Sequence, residues 1–172
     1  MSNSILHLEN SFPWNNDPFY IFNNDDEKLA FKKWFIENAN KYEINSFYKY
    51  ASDLLGQVIL SGCYGNGQYI SIKTDAHYVE GLVLANGTYT FNEYIPHGFN
   101  IIDNKVIDYS YKKILLEAPQ YLSKMPTQYF GIEIPKEYIL TQNKIIGDTP
   151  HLTIDHYYLS IGELYLNMIN LV

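Results

Sequence analysis

The chain contains no arginine. All twelve of its basic residues are lysine, set against 19 acidic ones for a net charge of −7. Guanidinium is the side chain best shaped to grip phosphate in bidentate fashion, and an acidic surface repels a polyanion, so nucleic acid is not expected as a partner. Cysteine occurs once, at Cys63, which rules out an internal disulfide and any multi-cysteine metal centre. Long uninterrupted apolar runs are also missing. The apolar C-terminal segment carries Glu163, Asn167 and Asn170, and no membrane span is expected there. The opening residues, Met1-Ser2-Asn3-Ser4-Ile5, have neither a basic region nor a long apolar stretch. That predicts a protein without a signal peptide, cytoplasmic or exported by a route that needs none.

What is plentiful is aromatic surface: 17 Tyr, 9 Phe and 2 Trp in 172 residues, within a chain that is 47% hydrophobic. This length and apolar content predict one domain, residues 1–172, able to bury a true core without a metal or disulfide. Intrinsic disorder is excluded by the same composition. No internal repeat or low-complexity linker divides the chain.

Local patterns suggest helices first and strands after, an α+β order. Residues 1–24, with Pro13 and Pro18, read as an irregular arm packed by Phe12, Trp14, Phe19 and Tyr20. Asp25 or Asp26 is placed to cap a helix running to about Asn40, with Leu29, Ala30, Trp34 and Phe35 on its apolar stripe. A second helix fits residues 44–56, ended by Gly56. A short third helix beginning at Cys63 is preferred, although Gly65 and Gly67 weaken it by up to about 1 kcal/mol each. His77–Ala85 reads as a strand, Asn86-Gly87 as a hairpin turn, and Thr88–Tyr94 as its return. A further hairpin joins Gly98–Ile102 to Val106–Ser110 through Asp103-Asn104. Another strand is expected around Tyr129–Ile134, and residues 153–170 read as a C-terminal helix.

Three segments combine into a chemical possibility: Gln57 to Asn66 around Cys63, Pro96 to Asn100 around His97, and Val106 to Ser110 around Asp108. Thiol hydrolysis needs a thiolate, an imidazole to hold it ionised, a group to orient that imidazole and donors for an oxyanion. Cys63 at a helix start would be the nucleophile, its thiol acidified by the helix dipole. His97 would be the acid/base, and Gln57 with the Cys63 backbone N–H would face the oxyanion. Asp108 can be tested by register. If Asp103-Asn104 is a two-residue turn, Ile102 pairs with Lys105 and Phe99 lies opposite Asp108. His97 shares the face of Phe99, so His97 and Asp108 become diagonal neighbours roughly 7–8 Å apart at the backbone. One more residue in the turn would flip Asp108 away. Asn100 is the alternative orienter, though a regular strand turns it from His97.

The order helix–Cys–strand–His–strand–Asp, with Gln57 six residues before Cys63, resembles the papain-like and transglutaminase-like thiol enzymes. Tyr78-Val-Glu-Gly81, His97-Gly-Phe-Asn100 and Val106-Ile-Asp108 look especially like bacterial and phage members. The resemblance covers about residues 57–110. It implies a papain-like core, N-terminal helices packed on an antiparallel sheet, and a thiol-dependent hydrolase or acyl transferase. Such an enzyme would act on a peptide or protein substrate, at a backbone or side-chain amide, through a Cys63 thioester with the catalytic set Cys63, His97 and Asp108. No organic cofactor or metal is implied. The family pattern often has Trp where Phe99 stands.

Each residue also has a plainer reading. A lone cysteine is most often a small buried hydrophobe, His97 by itself a structural histidine, Asp108 a capping residue and Gln57 a solvated helix end. On that reading the chain is a non-enzymatic binding module of immunity or adaptor type. His151 and His156 stand five apart, missing the helical spacing of zinc pairs. The many tyrosines, Tyr109, Tyr111, Tyr121 and Tyr129 among them, read as core and rim packing, or as the lining of a peptide groove.

Overall fold

In the computed structural model, residues 25–60, 62–85, 93–120 and 125–146 are described. The N-terminal arm, the Asn86-Gly87 turn, His151, His156 and the C-terminal helix expected over 153–170 lie outside them. Helix α1 (Asp25–Asn38) is followed by β1 (Asn40–Ile44), the short α2 (Ser52–Gln57) and α3 (Cys63–Lys73). Then come β2 (His77–Ala85), β3 (Glu93–Ile102), β4 (Lys105–Ile107), α4 (Tyr109–Glu117), β5 (Gln128–Ile134) and α5 (Lys136–Ile146). Mixed helix and strand in an α+β arrangement is what the composition of elements predicted.

The five strands close into a small barrel in the order β1-β4-β3-β2-β5. The long pairings β2–β3 and β2–β5 are antiparallel, as expected. The sheet is not wholly antiparallel, however. Closure runs through β1, which pairs antiparallel with β5 and parallel with β4. The alternation of side chains along each strand divides the apolar residues between two faces. Tyr42, Val79, Val83, Phe99, Ile101, Val106 and Tyr129 come from all five strands and fill the interior. The outer face of β2 and β5, with Tyr78, Leu82, Phe130, Ile132 and Ile134, is covered by Phe31 and Phe35 of α1 and Ile139 of α5.

Several expectations need correction. The helix expected over 44–56 is only Ser52–Gln57; its first part is the end of β1 and a turn, with Phe47 94% exposed. The stripe of α1 holds only in part: Phe35 is buried and Trp34 packs against the core, but Leu29 and Ala30 are exposed and Phe31 is the other buried residue. The strand expected over Val106–Ser110 stops at Ile107, because Asp108 caps α4 and directs Tyr109 and Ser110 into a helix. Strand β3 begins before Gly98, at Glu93.

The Cys63 helix packs on β3 at a closeness that only glycine permits. A Cβ on Gly98 would meet the Tyr64 Cα at 3.0 Å and the Tyr78 hydroxyl at 2.9 Å; one on Gly67 would strike the Tyr78 ring. The glycine that weakens α3 as an isolated helix is thus what lets it lie against the sheet. Buried Asn66 and Asn100 hold α3 in place. Asn66 bonds both backbone groups of Ile59 and the Ser110 hydroxyl, and Asn100 Nδ2 donates to the Gly67 carbonyl at 2.8 Å.

Candidate active site

Asp103 and Asn104 both adopt positive φ, 50° and 60°, the two-residue turn that a right-twisted hairpin favours. Ile102 therefore pairs with Lys105 and Asn100 with Ile107, the last pair before the two strands part. This is the register in which His97 and Asp108 share a face. Their side chains meet: His97 Nε2 lies 2.7 Å from Asp108 Oδ2, with both side chains almost fully buried. The pair extends the interior row of Phe99 to one mouth of the barrel, where the ring of His97 stacks parallel to Phe99 and lies 4.9 Å from that of Tyr111.

Asp108 is held from several sides. Its Oδ1 accepts the Tyr111 backbone N–H at 3.0 Å as the N-cap of α4, and its Oδ2 also accepts the Tyr129 hydroxyl at 3.0 Å. Its own N–H donates to the Tyr50 hydroxyl at 3.1 Å. With Nε2 engaged by the carboxylate, the other ring nitrogen, Nδ1, is left to face the thiol.

Cys63 is the first residue of α3, whose N-cap, Gly62, offers no side chain to neutralise the helix's positive end. The thiol is partly exposed and hydrogen-bonded to His97. Beyond Asn100↔Ile107, β4 leaves β3, and the Gly98 N–H is directed to the sulfur. Burial would push the Cys63 thiol up, yet the His97 hydrogen bond and charge and the Gly98 N–H bring it below its ordinary value, against a smaller opposing effect of Asp108. His97 shows the mirror image. Burial disfavours the imidazolium, but Asp108, through charge and hydrogen bond, and then Cys63 raise it to about 10. Both shifts favour a thiolate–imidazolium pair at neutral pH.

Of the residues named from sequence, Cys63, His97 and Asp108 come together. Gln57 is exposed at the end of α2, and among the described residues its side chain makes no hydrogen bond. Asn100, the alternative orienter, is spent on the Gly67 and His77 carbonyls, while Asp108 takes the imidazole. Sequence reasoning treated Tyr111 and Tyr129 as packing and gave Tyr50 no role. Their hydrogen bonds to Asp108 depend on cross-barrel and helix-start geometry that no local pattern encodes. Compared with protein-family models, curated proteins and solved structures, the chain finds no match.

Proposed function

We propose that the chain is a thiol-dependent hydrolase or acyl transferase that acts on peptide or side-chain amides, with a papain-like arrangement of its catalytic groups. The observation that carries this reading is the unbroken hydrogen-bonded series from Cys63 through His97 to the buried Asp108 carboxylate. The Cys63 thiolate attacks the amide carbon, forming a C–S bond and moving the carbonyl electrons onto oxygen. The backbone N–H of Cys63, at the start of α3, is the donor for that oxyanion. As the tetrahedral intermediate collapses, the C–N bond breaks and His97 gives its proton to the departing amine, leaving a Cys63 thioester and neutral imidazole. Water, or an amine in the transfer reaction, then attacks the thioester while His97 takes its proton. Collapse returns the thiolate–imidazolium pair with release of acid or new amide. Asp108 keeps Nε2 protonated throughout, so that Nδ1 is the nitrogen that exchanges protons with sulfur and substrate.

The test is the rate of iodoacetamide alkylation between about pH 4 and about pH 10, in wild type and His97→Ala. A reactive plateau that reaches below neutral pH and vanishes in the variant is expected. An ordinary thiol profile, unchanged by the substitution, would refute the reading and leave a non-enzymatic binding module in its place.

A further inference from the structure

Two of the hydrogen bonds to Asp108 have an evident local purpose: the Tyr111 N–H is a helix cap, and His97 is the pair itself. The Tyr129 hydroxyl has none. Its ring, 2% exposed, packs edge-on against Phe99 at 5.0 Å in the barrel interior, a position phenylalanine would fill as well. Yet the hydroxyl is aimed at Oδ2, the same oxygen that binds His97. Burial and the charge of Asp108 hold this phenol well above its usual range, so it remains a donor wherever His97 titrates.

We propose that Tyr129 is a positioning residue: by donating to the oxygen that His97 also uses, it fixes the carboxylate's rotation and limits how tightly Asp108 holds the imidazolium. The inference rests on the reading of His97 as acid/base, and gives that role a physical need. An acid must surrender its Nδ1 proton to the leaving amine, and a buried carboxylate with no second donor on Oδ2 would stabilise the imidazolium too strongly for that transfer. Among the described residues, the groups facing His97 are few. Asp108 comes from the junction of β4 and α4, Cys63 from α3, and the neutral phenols Tyr111 and Tyr129 from α4 and β5; Tyr50 reaches it only through Asp108. Of these, Tyr129 alone shares Oδ2 with the imidazole.

The full-length chain, labelled with ¹⁵N-histidine, is titrated by NMR, the His97 signal being assigned by its loss in His97→Ala. In Tyr129→Phe, His97 is expected to titrate about half to one unit higher than in wild type. A merely structural tyrosine would act in the opposite sense: a loosened contact lets His97 drift down toward its ordinary value. No shift, or a downward one, overturns the proposal. Should Tyr129→Phe fail to fold, 3-fluorotyrosine at position 129 keeps the packing and strengthens the donor. His97 should then titrate lower than in wild type, and an unchanged or higher value overturns the proposal equally. The titration reads this effect whether or not Cys63 is reactive, while loss of the wild-type alkylation plateau sinks the thiol-enzyme reading alone.

Discussion

Replacing Cys63 by Ser should change how stability depends on pH, and the change can be worked out from the pair itself. His97 is raised to about 10 in the native state, so its stabilisation is complete below the unfolded value of about 6.5 and disappears as pH rises toward 10. Cys63 is lowered, so its stabilisation is complete above the unfolded thiol value of about 8.5 and disappears as pH falls through the native one. At pH values above the native thiol value, between about 6.5 and 8.5, the two trends cancel: the unfolded chain keeps one proton on sulfur, the native pair keeps one on imidazole, and unfolding neither takes up nor releases a proton. Wild type should therefore show a flat contribution across that window and fall on either side, by up to about 1.4 kcal/mol per pH unit. Cys63→Ser removes only the sulfur half. Asp108 still raises His97, so stability should decline from about pH 6.5 upward and lose on the order of 2 kcal/mol by pH 8.5. Urea denaturation of both proteins across this range, taken as a difference, cancels every other titrating group. Parallel curves would mean that the native thiol keeps its proton at neutral pH, and the reasoning from the Cys63–His97 geometry would be wrong.

Three further substitutions separate the roles packed into this mouth of the barrel. Asp108→Asn retains an oxygen for the Tyr111 N–H but loses the charge, so His97 should titrate about one to two units lower by NMR. Asp108→Ala also strips the α4 cap and leaves the Tyr129 hydroxyl without its acceptor, which should make it less stable than Asp108→Asn by about 2–3 kcal/mol in urea. Gly98→Ala puts a methyl group 3.0 Å from the Tyr64 Cα. The backbone of α3 must retreat, at a cost of about 1–3 kcal/mol, and the thiolate plateau in alkylation should disappear, because Cys63 retreats with it.

The hairpin that pairs His97 with Asp108 was legible because its determinants are local. Asp and Asn tolerate the left-handed backbone, a two-residue turn fixes the register, and the period of two carries it to residue 108. The start of α3 was legible too, despite its glycines. Strand β1 was not. In Asn40–Ile44 only Tyr42 is buried, and the partners that make the segment a strand lie on β4 and β5, far along the chain. Meanwhile Ile44, Phe47, Tyr48 and Ala51 mimic the spacing of a helical stripe. Helix α4 was lost for a related reason: Val106 and Ile107 read as a strand, and Asp108 was weighed as an orienter or as a capping residue, never as both at once. Tyr129 marks the limit of pattern reading. Its ring obeys the period of a buried strand, and nothing nearby distinguishes a hydroxyl with a partner from a ring that merely packs.

The double use of Asp108 explains why the site lies where it does. Ending β4 at Ile107 releases the edge of β3 at Gly98, and starting α4 at Tyr109 supplies a backbone N–H for the carboxylate. One turn of the chain thus opens the notch for the Cys63 thiol and anchors the carboxylate that holds the His97 ring beside it. A buried ionic pair of this kind adds little to stability, since desolvation of both partners offsets their attraction, and apolar side chains of similar volume would serve the barrel as well. What the pair gains from Tyr129, Tyr111 and Tyr50 is fixed geometry. An imidazole held within a narrow range of positions is of small use to a core that needs only volume, and of large use to a thiol that needs a proton acceptor at hydrogen-bonding distance.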